Sequence, residues 1–142
     1  MKLFGAVCIL SLTAAGAARA DIAPACAAPA GVTEVAFGDV PAAIRKALAE
    51  QTGDMALPGQ PFNVGDVAQS VNGKTLPFRR GLFAWNRGTR WVIATEHGGR
   101  GYNDPVYAFD AGGDGKRVKL VGSKTAFPKT VCAAAAALLD AQ

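Results

Sequence analysis

The sequence predicts an α+β domain: an N-terminal helix, an antiparallel β-meander of four to six strands, and a C-terminal helix packed on one face of the sheet. Three observations carry this prediction. An amphipathic segment lies at residues 40–51, ahead of every strand signal. Short β-rich runs between 64 and 121 are separated by glycine-containing turns. An alanine-rich run closes the chain. Both helices are expected on the same face of a curled sheet.

Residues 1–20 read as a secretory signal peptide. Lys2 supplies the positive start, Leu3 to Ala18 is apolar and uncharged, and Ala18-Arg19-Ala20 matches the small-x-small cleavage pattern, which places cleavage after Ala20. The apolar run is shorter than the ~20 residues a membrane-spanning helix needs, and Arg19 and Asp21 end it. Cys8 lies too early for a lipoprotein site, and Pro24 obstructs one at Cys26. The expected location is therefore periplasmic or secreted, with no stable membrane insertion once the signal is removed.

Residues 21–38 are rich in Ala, Pro and Gly and read as an extended segment, with Val35 and Phe37 packing inward. The single α+β domain is expected over 39–142. Asp39 is placed to cap the first helix, with Pro41 in its first turn. Ile44, Ala47, Leu48 and Gln51 then follow at helical spacing, with Arg45, Lys46 and Glu50 on the other side. Gly53 stops the helix.

After a proline-containing loop, Val64 to Val71 and Lys74 to Arg80 flank Asn72-Gly73, a strong type I′ signal, and Pro77 marks the return as irregular. Leu82 to Trp85 and Arg90 to Glu96 are joined through Asn86-Arg87-Gly88-Thr89. Val106 to Phe109 and Arg117 to Val121 are joined through the glycine turn at 111–115. Thr130 is placed to cap a final helix over Val131 to Ala141, with Cys132, Ala135, Ala136 and Leu139 as its apolar face.

The chain has 142 residues, half of them hydrophobic and 18% charged, with a formal net charge of +4. That length allows one domain and excludes a multi-domain enzyme, a TIM barrel and a dinucleotide-binding fold with a substrate domain. Cleavage after Ala20 lowers the charge to +2. The charge is unevenly spread: residues 21–73 carry −4 and residues 74–129 carry +7. Export and the small net charge exclude nucleic acid as the expected partner. Cys26 and Cys132 remain as an even pair in an oxidising compartment, 106 positions apart, and read as a disulfide. No CxxC spacing supports redox chemistry.

The stretch from Glu96 to Pro105 gathers the most chemistry. It joins two strong strands and holds the only histidine. Glu96, His97, Arg100, Tyr102, Asn103 and Asp104 are the candidate ligand-binding residues, with Arg87 from the preceding turn. A plain hairpin connection, with Arg100 paired to Glu96 or Asp104, stays open beside that reading. Phe83, Trp85 and Trp91 read as core. Alternatively, Arg79, Arg80, Arg87, Arg90 and Arg100 form with the aromatic residues a surface suited to sugars or an acidic protein cleft.

No catalytic residue, metal site or cofactor is assigned. One histidine is too few for a zinc set, although Glu96, His97 and Asp104 make a weak candidate. The Asp110–Gly115 turn lacks calcium ligands at Gly112 and Val121. Gly98 to Gly101 does not match a phosphate loop, and no GxSxG elbow occurs. The helix-then-meander order resembles cystatin-like or inhibitor-like modules in architecture only. The expected function is a small exported, disulfide-closed binding module whose partner is an anionic protein or an envelope glycan. Two other classes stay open: a small hydrolase using Glu96 and Asp104, and a structural accessory domain of an envelope complex.

Overall fold

A computed structural model describes residues 26–113 and 116–141. The signal-peptide and cleavage-site expectations, and part of the 111–115 turn, lie outside the described residues. The order is β1 (Thr33–Val35), a short 3-10 turn (Phe37–Asp39), α1 (Ala42–Thr52), β2 (Ser70–Val71), β3 (Lys74–Thr75), β4 (Arg79–Arg87), β5 (Arg90–His97), β6 (Asp104–Ala111), β7 (Val118–Ala126) and α2 (Val131–Asp140). β4 to β7 form an antiparallel meander. β1 pairs outside β4, which gives the sheet order β1-β4-β5-β6-β7, while β2 and β3 form a separate hairpin. The α+β class stands.

The layering differs from expectation. α1 and α2 lie on opposite faces of the sheet. Phe83, Trp85, Val92, Ala94, Val106 and Ala108 pack with Val131, Ala135, Leu138 and Leu139 of α2. Ala84, Ile93, Tyr107 and Phe109 pack with Ile44 and Leu48 of α1, and with Phe37 and Val40 before it. Successive strand residues point to opposite faces. Both parities of β4, β5 and β6 are apolar, so each face needs its own cover. The near-continuous run Trp91-Val92-Ile93-Ala94 carried that signal.

The turns follow local rules. Asn72 and Gly73 take φ of 51° and 74°, the two positive values a type I′ turn requires. Gly53 ends α1 at φ 67°. The first capping expectation fails: α1 begins after Pro41 without a side-chain cap, and Asp39 sits in the preceding 3-10 turn. The second also fails. The Thr130 hydroxyl turns back, accepting from the Phe127 N–H at 3.1 Å and donating to its carbonyl, so it leaves the α2 amides alone. On α2, Val131 and Leu138 join Ala135 and Leu139 as the buried set, and Ala136 is only half-buried.

The Cys26–Cys132 disulfide forms as expected. It joins the segment before β1 to the first turn of α2, at the edge of the α2-side core. Val35 and Phe37 pack inward as expected. No helix among the described residues is long and apolar enough to cross a membrane.

Candidate functional site

Strand alternation splits the 96–105 stretch between the two faces of the sheet. Arg80 pairs with Glu96 across β4 and β5, and by the same register Glu96 lies opposite Asp104 of β6. These three side chains stand in one row on the α2 side. The neighbouring row, on the α1 side, runs Arg79, His97 and Asn103.

The α2-side row is buried. Arg80 donates from Nε and Nη2 to Glu96 Oε2 at 3.0 and 2.6 Å. The Tyr102 hydroxyl donates to Glu96 Oε1. The Phe62 ring lies 4.2 Å from the Arg80 guanidinium carbon and closes the cation from above. Asp104 is 1% exposed, and neither carboxyl oxygen has a hydrogen-bond partner among the described residues. Burial, reinforced by the neighbouring Glu96 charge, pushes its pKa up to about 6. Burial and the bond to Glu96 raise the Tyr102 phenol well above its ordinary value and keep it a donor.

The segment 62–65 forms the cover. Asn63 donates its N–H to Pro77 at 2.8 Å, Gly98 donates to Phe78 at 2.8 Å, and Gly99 donates to Val64 at 3.2 Å. Asn63 is fully buried, and its side chain ties its own loop by bonding the Val67 carbonyl and the Gly65 N–H. A Cβ on Gly98 would lie 2.0 Å from the Asn63 carbonyl oxygen, so only glycine allows this approach.

The α1-side row is open. α1 covers the part of this face around Ile93 and Phe109, and beyond it Arg79, His97 and Asn103 are half-buried. There Arg79, His97, Asn103, Tyr107, Ser123 and Thr125 line a shallow concavity of about 320 Å³, with Pro105 and Lys124 also contributing. Arg79 donates from Nη1 to the Tyr107 hydroxyl at 3.1 Å. Asn103 donates to the Gly101 carbonyl at 2.7 Å. Burial and the Arg79 charge lower the His97 pKa, so the ring is neutral at pH 7. Among the described residues no carboxylate lines this concavity.

The remaining candidates lie elsewhere. Arg100 is highly exposed and 3.6 Å from Asp66, so the expected pairing with Glu96 or Asp104 does not form. Arg87 bonds Asp140 at 2.9 Å and the Leu139 carbonyl at the C-terminus of α2. Arg90 bonds the Leu138 carbonyl at 2.9 Å and Asp110 at 2.7 Å. These two cations serve the helix end, where free carbonyls and the negative dipole favour positive charge. The five arginines therefore do not share one surface. Trp85 and Phe83 are core residues, as expected.

The weak metal set fails on geometry, because His97 stands on the opposite face from Glu96 and Asp104. Among the described residues no cluster of three or more His, Cys, Asp or Glu suits a metal. Glu96 and Asp104 are neighbours, but at 6% and 1% exposure both carboxyls are closed to a substrate. Ser123 sits two strands from His97, in a row four residues away, too far for a hydroxyl–imidazole pair.

Sequence reasoning placed His97 and Asn103 in the candidate site and Arg79 in the alternative basic surface, but it did not find Tyr107, Ser123 or Thr125. Arg79, Tyr107, Ser123 and Thr125 come from three other places in the chain. The available signal was strand parity: once β4 to β7 are in register, these residues share a face. Compared with models of known families, with curated proteins and with solved structures, the chain matches none.

Proposed function

We propose that the protein is a small exported binding module that holds an acidic envelope glycan in the polar concavity on the α1 side of the sheet. The observation that carries this reading is the composition of the concavity wall. It presents the Arg79 guanidinium, the His97 ring, the Asn103 amide and the hydroxyls of Tyr107, Ser123 and Thr125, with no carboxylate among the described residues to oppose an anion. The Arg79–Tyr107 bond holds the guanidinium in place before a ligand arrives. The +7 charge of residues 74–129 favours the approach of a polyanion. The apolar leader, its small-x-small end and the Cys26–Cys132 bond support export.

Calorimetric titration with an oligosaccharide bearing uronic carboxylates, against its neutral counterpart, tests the reading. The acidic sugar is expected to bind and the neutral one to bind at least tenfold more weakly. Arg79→Ala removes most of the binding, and Arg79→Lys restores part of it. Binding also strengthens as pH falls through the lowered His97 pKa, because the ring then adds a charge. Equal affinity for both sugars, or no effect of Arg79→Ala, overturns the assignment.

A further inference from the structure

β7 ends the sheet. Its nine residues pair with β6 on one side only, and no strand lies beyond it among the described residues. In an antiparallel strand alternate residues turn their N–H and C=O groups outward, so this edge offers a ready row of donors and acceptors. No proline interrupts it. The opposite edge is better covered: β4 is flanked by β1 and, further along, by Ala56, which accepts from Gly81 N–H and donates to the Arg79 carbonyl.

The charge along β7 has one sign. Residues 116–129 hold five basic side chains and no acidic one. Lys119 pairs with Asp110 and Lys124 with Val106, and by this register both lysines stand on the α2 side of the edge strand. Both residues are exposed. A second copy of the chain pairing β7 with β7 would bring these lysines together, which is costly. A strand with acidic residues on that side would place a carboxylate beside each lysine.

We propose that β7 is a docking edge for an extended acidic peptide segment, which adds as a sixth strand to the sheet and sets its carboxylates against Lys119 and Lys124. The backbone bonds supply pairing and the lysines select for acidity. This inference does not rest on the glycan reading: Lys124 also borders the concavity, but Lys119 lies outside it and the strand addition uses the backbone edge of β7.

The test uses the oxidised protein and fluorescein-labelled nine-residue peptides in which Glu alternates with Val or Thr, read by fluorescence anisotropy at low salt. The acidic peptide is expected to bind. N-methylation of one alternate set of its amides abolishes binding, and methylation of the other set, which faces away from β7, leaves it intact. Lys119→Glu combined with Lys124→Glu weakens the acidic peptide at least tenfold and confers binding of the Lys-for-Glu peptide. Binding insensitive to both methylation patterns means attraction by charge alone and overturns the strand addition. Equal binding of the Lys-for-Glu peptide by the unaltered protein overturns the acidic preference. No binding of any peptide, or a dimer in sedimentation that the acidic peptide fails to dissociate, overturns the proposal outright.

Discussion

Glu96 and Asp104 face the same buried side of the sheet from adjacent strands, yet only Glu96 is paired. Glu96 accepts two bonds from Arg80 and one from Tyr102, whereas both oxygens of Asp104 are without a partner among the described residues. An ionised Asp104 would place a second negative charge beside the first in a dry setting, so the folded protein favours its protonated form.

This asymmetry gives a pH dependence with a definite sign. The Asp104 pKa is raised from 3.8 to about 6 in the folded state, so folding takes up a proton at intermediate pH. The stabilisation is complete below the unfolded value and is lost as pH rises through about 6. Asp104→Asn removes the titration and keeps the shape. Relative to the unaltered protein, the variant is expected to gain roughly 1–3 kcal/mol at pH 7.5, and this advantage fades as pH falls towards 4. Urea unfolding at several pH values checks it. An advantage that is constant with pH, or that grows on acidification, contradicts the assignment.

The paired half of the row predicts non-additive mutations. Arg80→Met strands the Glu96 carboxylate in the interior and is expected to cost about 3–5 kcal/mol. Adding Glu96→Leu removes the stranded charge and its repulsion of Asp104, and recovers most of that loss. A double-mutant cycle by denaturant unfolding measures the coupling. Additive single effects would mean that Arg80 contributes through its packing on Phe62 and not through the ion pair.

The elements were legible because they follow local rules. The 3.6-residue spacing of Ile44 and Leu48, the Asn72-Gly73 pair, Gly53 and the strand around Trp91 all emerge within a residue or two of their expected places, while the strand that begins at Val118 runs five residues past its expected end at Val121. The disulfide was legible from the parity of cysteines and the expected compartment. Layering was not, because the helix order alone does not assign α1 and α2 to faces. The decisive detail, apolar residues at both parities of β5, has meaning only once strand pairing is fixed. The candidate site was half legible for the same reason. The 96–105 stretch was chosen as a cluster in sequence, but His97 and Asp104 leave it in opposite directions. Arg79 and Thr125 join His97 only through register, and Phe62 and Asn63 reach Arg80 and Gly98 only through a long loop.

The disulfide is expected to act globally. It closes a sequence separation of 106, for which chain entropy gives roughly 4–5 kcal/mol, an upper figure in practice. It also anchors the segment leading to β1 against α2. Replacing both Cys26 and Cys132 with Ser is expected to lower the Tm by roughly 10 °C or more. The same loss follows reduction of the unaltered protein. A thermal melt that neither treatment moves would mean that α2 and β1 hold their places without the bond.

The cover over the buried row depends on one backbone contact. At Gly98 an added Cβ meets the Asn63 carbonyl oxygen at 2.0 Å and the Val64 Cα at 2.9 Å. Both are main-chain atoms, so no rotamer change relieves the clash and the 62–65 segment must move. Gly98→Ala is therefore expected to cost about 2–4 kcal/mol, the range of severe local defects. It also opens the Asn63–Pro77 and Gly99–Val64 hydrogen bonds, so these two amides exchange faster with solvent. With Phe62 withdrawn from Arg80, water reaches Asp104 and its pKa returns towards 3.8. The pH-dependent advantage of Asp104→Asn then shrinks in the Gly98→Ala background. Gly38→Ala is the control, since its Cβ meets no atom within 4 Å and its backbone is not left-handed. If Gly98→Ala and Gly38→Ala behave alike in stability and exchange, the 62–65 segment is not the cover that keeps Asp104 dry.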